Sequence, residues 1–425
     1  MLTATPQKNL IFLTSLLLIA YLGLALLTPV YGHPFDTSCW KSWSLGIFEK
    51  GLGNAYSLGL DYNPILLYFF YVADHLLGSN TAITEHIVYY TKLFALVFDM
   101  LGIYFTARFL VSRNLNLWPV IFILFNFGYF YNTILWGQVD SIHTALTLIS
   151  FLFLFNKKLV WGVLFFILAL NMKLQAIVYA PFIVLAMLPM FTLKNFSKTA
   201  IYAIALQFII ILPFVLQGDF MKIIRVNGVH FYVLQVTSAN AYNMWWYFFA
   251  DPFATSDQFT FLGLTYKTWG LSLFFVSAFF SMLPIVIYII ERREMDNTFY
   301  KLFFLSLTLV TLIFFYFNTE MHERYIHPAI LFSAIYAILA KDYIMYILLS
   351  LAYTLNMAKV FPFFNLDYNA FYFNEKLIST LYLCAFAIGM YRMYTSFKLK
   401  TDDVKKVVNI KTYQAYLKEN ILTNQ

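Results

Sequence analysis

The sequence predicts an all-α polytopic membrane protein, and three observations carry that expectation. First, 61% of its 425 residues are hydrophobic and only 12% charged, with a mean hydropathy of +0.71. That leaves too little polar surface to cover a water-soluble fold. Second, the apolar runs are long and continuous, whereas a β-barrel shows segments of about ten residues that alternate polar and apolar. Third, the net charge of +7 comes largely from Lys and Arg at the ends of those runs. This pattern reads as membrane orientation, and no interleaved basic and aromatic face suggests nucleic acid as a partner.

Taken in order, the first run, 10–30, follows Lys8 like a signal peptide. Its core is about twenty residues long and no small-residue cleavage site follows, so it is expected to be a retained span. Further spans are expected at 87–110, 117–135, 139–155, 158–172, 174–190, 199–216, 269–290, 299–318, 325–340, 343–358 and 374–394, about twelve in all. Several have only 15–18 residues, short for a bilayer that takes about twenty. The run from Pro64 to Gly78 is decided by parity. If it crossed, with the N-terminus inside, Arg108/Arg113, Lys157/Lys158, Lys194/Lys198, Arg292/Arg293 and the basic tail would all face outward, against the positive-inside rule. It is therefore assigned to the outer surface, within one long external loop, 31–86, with both termini cytoplasmic. The tail from Arg392 to Gln425 carries seven Lys/Arg against three Asp/Glu, a basic segment suited to anionic headgroups at the inner surface. Cys39 and Cys384 lie in the first loop and the last span, so no disulfide or thiol metal site is expected.

This topology bears on chemistry. The cytoplasmic connections are short, and neither a Walker motif nor Gly-x-Gly-x-x-Gly occurs. The large polar segments, 31–86, 217–268 and 359–373, are all external. A reaction is thus expected on the outer face, away from nucleotide-activated donors.

Four external constellations stand out. Asp36 and Asp61 lie in the opening loop among Trp40, Trp43 and Tyr62; a carboxylate there suits a general base and the aromatics suit a sugar face, although both acids also fit as solvated or capping residues. Trp136, Gly137, Gln138, Val139, Asp140 and Ser141, followed by His143, occupy a turn where Asp140 fits a helix cap and Trp136 an interfacial anchor. Lys173 and Gln175 sit between two short apolar runs. A lysine at membrane depth costs about 2.5–3.5 kcal/mol, so Lys173 binds either a phosphate or a neighbouring acid. Glu320, His322, Glu323, Arg324, Tyr325 and His327 crowd one turn, where Arg324 suits a phosphate and an ion-pair cluster is the alternative. The spacing does not make a His-Glu-x-x-His zinc motif. Asp99, inside the second span, reads as a partner for Lys92 or Lys173.

The order of motifs resembles the GT-C class of integral-membrane glycosyltransferases that use polyprenyl-phosphate sugars. The residues that carry the resemblance are Asp36, Trp40 and Trp43, Leu60 to Pro64, Trp136 to Asp140, Lys173 to Gln175, Asn240 to Trp245 and Met321 to Tyr325. They are similar to bacterial mannosyltransferase-like proteins related to the second mannosyltransferase of GPI-anchor assembly, and more distantly to dolichol-phosphate-glucose-dependent glucosyltransferases. Asn63 stands where a first proline is usual, and Arg324 replaces the glucosyltransferases' lysine, which argues against glucose. The resemblance spans roughly residues 10 to 340 and implies three parts: a GT-C catalytic module at 1–340, C-terminal transmembrane helices at 341–394 and a basic cytoplasmic tail at 395–425.

The resemblance implies an inverting transfer of one sugar, mannose preferred, from a polyprenyl phosphate to an acceptor hydroxyl on a glycan or lipid. The location implied is the extracytoplasmic face of a bacterial cytoplasmic membrane. Asp36 is the implied base and Asp61 a supporting acid. Arg324, His322 and Lys173 are candidates for the donor phosphate, and Gln138, Asp140, Gln175, Glu323, Tyr62 and Trp40 for substrate binding. Cationic side chains suffice for a single phosphate, so no metal or other cofactor is required; Asp36 with Asp61 holding a divalent ion is the lesser reading. A transporter or lipid flippase is the alternative, disfavoured because no internal repeat is visible and the polar residues gather in external loops.

Overall fold

The computed structural model describes residues 6–190, 192–229, 234–292 and 295–395. Apart from Thr395, the basic tail lies outside the described residues. Among the described residues the secondary structure is almost all helix, with one two-stranded hairpin in which β1 (Thr260–Phe261) pairs antiparallel with β2 (Leu264–Thr265).

Helix α1 (Pro6–Leu27) lies against α4 (Asn80–Ser112), with α2 (Pro34–Lys50) and α3 (Pro64–Leu77) between them in sequence. Proline begins both α2 and α3, where its missing N–H costs nothing, and Gly51 and Gly78 end them with φ of 79° and 72°. At about 1.5 Å per residue, the 14 residues of α3 fall short of a hydrocarbon core of about 30 Å, as do the 14 residues of Leu159–Met172 and of His327–Ala340, so length alone does not decide which of them cross. Ser79 caps α4 by accepting from the Ala82 N–H at 3.3 Å.

The expected span 117–135 is broken rather than straight. It comprises α5 (Ile121–Leu124), entered by a short turn from Trp118, then α6 (Phe127–Phe130) and a π-helical segment, Tyr131–Trp136. The two halves meet at 52°. Asn126 holds the break: its Oδ1 accepts from the Tyr129 N–H at 2.9 Å, and its Nδ2 donates to Tyr346 at 2.8 Å and Ser350 at 2.7 Å.

Helices α7 (Asp140–Phe155) and α8 (Leu159–Met172) follow as a close pair. The expected span 174–190 is also segmented, into a 3-10 turn (Leu174–Tyr179), α9 (Ala180–Met187) and a second turn (Leu188–Met190). Next come α10 (Leu193–Leu216), α11 (Phe220–Val229), α12 (Tyr266–Arg292) and α13 (Asn297–Phe317). The chain ends in α14 (His327–Ala340), α15 (Ile344–Val360) and α16 (Glu375–Thr395).

Among the described residues, six helices are long and apolar enough to cross a membrane, or seven if the broken pair counts as one. This is an integral, all-α membrane protein. Helices α7, α13 and α14 form the buried centre. In lipid, apolar faces gain little from meeting each other, so packing and hydrogen bonds between helices carry the association. Ser141 donates to the Ala95 carbonyl at 3.0 Å, Ser150 to Gly162 at 2.6 Å and Ser306 to Ser281 at 2.7 Å, joining α7 to α4, α7 to α8 and α13 to α12. The residues 341–394 are not a layer apart: α15 packs on α14 and α6, and α16 on α13.

Candidate active site

The four sequence-distant constellations meet at one end of the bundle. Asp36 enters from the first turn of α2, whose N-terminus favours a carboxylate. His33 precedes it by three residues, so a helical start puts both on one side, with His33 Nδ1 3.2 Å from Asp36 Oδ2. The second segment supplies Trp136, whose indole N–H donates to the same oxygen at 2.7 Å. Two glycines make this approach fit. A Cβ on Gly32 would lie 2.3 Å from the Trp136 carbonyl, the group that accepts the His33 N–H at 2.9 Å. Gly137 takes a φ of 90°, which ends the π-helical segment and aims its carbonyl at the Trp40 indole, 3.0 Å away.

The third segment supplies Lys173, whose ammonium pairs with Asp140 and lies 4.8 Å from the Tyr325 ring centroid. Gln175 Nε2 donates to the Tyr325 carbonyl at 2.8 Å. The fourth supplies Arg324, with Nη1 2.9 Å from Glu323 and Nη2 3.8 Å from Asp36 Oδ1. Its Nε is buried without a hydrogen-bond partner among the described residues. The side chains of Asp36, Arg324 and Lys173 keep only 12–13% of their surface open.

The charges are set by this packing. Burial pushes the Asp36 carboxyl up, but the Arg324 guanidinium, the Trp136 indole N–H and the nearby polar groups of His33 and Gln138 outweigh it and hold the group well below the usual carboxylate range. Burial, and secondarily the Arg324 charge, lower His322 to about 3, so it is a neutral imidazole at the site. Burial raises Glu323, opposed by Arg324. Arg324 stays cationic because the acids around it, Asp36 foremost, overcome the cost of burial.

Several residues do something other than expected. Trp136 is 1% exposed, a buried donor to Asp36 rather than an interfacial anchor. Asp140 does not cap α7 through its side chain; it is fully buried between Lys173 and Asn132. Lys173 therefore has a neighbouring acid as its partner. Asp99 pairs with neither lysine: Lys92 donates to the Pro29, Tyr31 and Leu135 carbonyls, while Asp99 lies 4.0 Å from His327. Trp40 is buried against Trp43, Tyr62 and Phe70, supporting α2 instead of offering an open face. Tyr62 turns its phenol within electrostatic reach of Asp140, Arg324 and Asp36. Asp61 is exposed; like Asp36, it acts electrostatically on the Cys39 thiol. Glu320 faces away, 2.7 Å from Lys267.

No protein-family model matches the sequence, and no curated protein does.

Sequence reasoning did not reach His33 or the segment after residue 340. Asn356 on α15 accepts from the Tyr242 N–H and donates to the Asn240 carbonyl, each at 3.0 Å, while the Ala239 N–H donates to Met321 at 2.9 Å. The loop 234–247 is thereby tied beneath the Arg324 turn. Phe361 sets its edge against both His33 and Trp136 at 5.5 Å. The available signals were the His-Pro-x-Asp spacing and an asparagine within an apolar helix.

Proposed function

We propose that this protein is a GT-C-type inverting glycosyltransferase. It moves one sugar, mannose preferred, from a polyprenyl-phosphate donor to an acceptor hydroxyl at the extracytoplasmic face of a bacterial cytoplasmic membrane. The observation that carries this reading is the meeting of an ionised acid with a cation that has a spare donor: Asp36 Oδ1 is 3.8 Å from Arg324, whose Nε–H has no hydrogen-bond partner among the described residues.

Such a pair suits a displacement in which negative charge leaves one group and appears on another. The departing phosphate gains charge in the transition state, and a fixed guanidinium stabilises it there more than in the ground state. Arg324 is the main cation of the site, since Lys173 is partly neutralised by Asp140. His322 serves as a neutral hydrogen-bonding group. Asp36 is the acid on which removal of the acceptor proton depends, and the resemblance gives it the base role. Gln138, Gln175, Glu323 and Tyr62 frame the sugar; Asp140, Trp40 and Asp61 position the loop and the lysine. No cofactor is needed for this chemistry.

A twelve-span GT-C topology is supported by parity. Asp36, Trp136, Lys173 and Arg324 share one site, so even numbers of crossings must separate them. Counting α4 with the broken pair, α7 with α8, 174–190 with α10, and α12 with α13 meets that condition.

The test offers labelled polyprenyl-phosphate sugars, with native lipid extract as acceptor, to the wild type and to Asp36→Asn in proteoliposomes. Transfer by the wild type is expected, and a loss of at least about 100-fold in the variant with donor binding retained. Equal transfer by both removes Asp36 from the chemistry. Substrate uptake coupled to an ion gradient, without transfer, replaces this reading with a transporter.

A further inference from the structure

We infer that the tip of the β1–β2 hairpin, Phe261 to Leu264, is a lipid anchor. It sits at the boundary between headgroups and acyl chains in the leaflet on the side of the Asp36–Arg324 site. The first observation is the turn itself. Phe261 pairs with Leu264, so Leu262 and Gly263 alone make the connection, with φ of 52° and 80°. A two-residue turn with positive φ at both centres favours Asn-Gly or Asp-Gly, because a short polar side chain tolerates the left-handed region. Here the first centre is a leucine whose side chain is 77% exposed. In water that residue is unfavourable twice over, in its backbone conformation and in its exposed apolar surface. Contact with acyl chains, which are as apolar as leucine, removes the second cost. The Tyr266 N–H donates to the Phe259 carbonyl at 3.0 Å and extends the ladder. Alternation along the strand then puts Phe259 and Phe261 on one face, with Leu264 across from Phe261, and all three are exposed.

The second observation is the level of the hairpin. It folds back beside the first turn of α12, where the Trp269 indole N–H donates to the Phe261 carbonyl at 2.9 Å and the Thr265 and Thr268 hydroxyls meet at 2.9 Å. Leu273, Val276 and Phe280 follow Trp269 by four, seven and eleven residues, which places all four on one helix face, and the three apolar ones are exposed. Helix α12 is one of the six long and apolar enough to cross a membrane, so this exposed stripe meets lipid. The hairpin tip continues that stripe at its N-terminal end. An open sheet edge cannot be satisfied within hydrocarbon, so the tip stops at the boundary, the level where Trp and Tyr rings such as Trp269 and Tyr266 are favoured.

The anchor is tied to the site. Lys267 Nζ lies 2.7 Å from Glu320, four residues before Arg324. The Thr319 hydroxyl donates to Asp257 Oδ2 at 2.9 Å, and the Asp257 carbonyl accepts the Lys267 N–H at 3.1 Å. The hairpin thereby fixes the height of the Arg324 turn against the bilayer surface.

The experiment uses the full chain in proteoliposomes, carrying Cys39→Ser and Cys384→Ser, with a nitrobenzoxadiazole dye attached through Leu264→Cys or, as a reference within the span, through Val276→Cys. The lipids carry a nitroxide either high on the acyl chain or near its end. At about 1.5 Å per residue, Val276 lies about 10 Å deeper than Trp269. Dye at the Leu264 position is expected to be quenched more by the shallow nitroxide, and dye at the Val276 position more by the deep one. Leu262→Asn gives the turn its favoured residue and removes only the apolar side chain, so the hairpin stays formed. It should lower nitroxide quenching at the Leu264 position by at least about two-fold and leave the Val276 position unchanged. Water-like emission at the Leu264 position, open to iodide and untouched by either nitroxide, overturns the anchor. So does emission shielded from iodide and nitroxides alike, since another segment or a second copy of the chain then covers the tip. Equal nitroxide quenching with and without Leu262→Asn also overturns it, because the dye rather than the hairpin has then entered the lipid.

Discussion

At the scale of single residues, the site depends on donors aimed at fixed points. Arg324 spans Glu323 and Asp36 because a guanidinium is a planar fork, and a lysine of equal charge cannot reproduce both contacts. Arg324→Lys should therefore keep donor binding within a few-fold while lowering kcat by about 100-fold, the loss typical of removing one charge-stabilising donor. Steady-state kinetics in proteoliposomes checks this, and an unchanged kcat would take the leaving-group role from Arg324. Gly32→Ala probes the frame rather than the chemistry. A Cβ 2.3 Å from the Trp136 carbonyl forces apart the contact that seats His33, so transfer and thermal stability in detergent should fall together. Much of this cluster was legible in the sequence because acids and arginines are conspicuous in so apolar a chain. Asp36, His322 and Arg324 were found for that reason. The role of Trp136 was not legible, since an indole at a span end reads equally as an interfacial anchor; only the fold shows it turned inward to Asp36. The pairing of Asp140 with Lys173 links residues 33 apart, a distance at which neither periodicity nor spacing has any force.

At the scale of elements, uniformly apolar helices were legible from their hydrophobic runs, whereas those that bend were not. The break at Asn126 arises because one amide side chain satisfies a backbone N–H locally while tying two groups of α15, Tyr346 and Ser350. That partner helix lies more than 200 residues away in the chain. The resulting π-helical segment turns Trp136 to the site, consistent with π-helical insertions occurring at functional positions. Helices α2 and α3 show a second such link, since the Ser44 hydroxyl donates to the buried Asp74 carboxylate. Burial raises Asp74 from 3.8 to about 7, with Ser44 and His75 opposing. The sign follows from linkage. An acid with a raised folded-state pKa holds its proton more tightly when folded, so its stabilisation is complete below about pH 4 and is lost as the pH rises through about 7. Thermal stability in detergent should thus decline between about pH 4 and 7 and level off above, and Asp74→Asn should flatten that decline while leaving Ser44 a polar partner. A variant with the same slope as wild type would show that Asp74 does not contribute to it.

At the scale of the whole molecule, the decisive question is which elements cross the membrane. The positive-inside argument kept 64–78 on the outer surface by counting basic residues in loops that contact nothing at the site. The site bears on the number of crossings and not on the side: Asp36 accepts a hydrogen bond from Trp136 at 2.7 Å, so an even number of crossings separates them. Helix α4 and the broken pair supply two; adding α3 makes three and would put the donor and acceptor of one hydrogen bond on opposite faces. Two exposed positions turn this into a measurement. Ser57 lies in the first loop and Lys158 in the turn between α7 and α8. In a background with Cys39→Ser and Cys384→Ser, Ser57→Cys should react with a membrane-impermeant maleimide from outside intact cells, and Lys158→Cys only after permeabilisation. If α3 crossed, these two positions would lie on the same face and label together, because one added crossing inverts everything that follows it. Opposite labelling would fix the side of Ser57 as well, and with it the face on which Asp36, Arg324 and Lys173 lie.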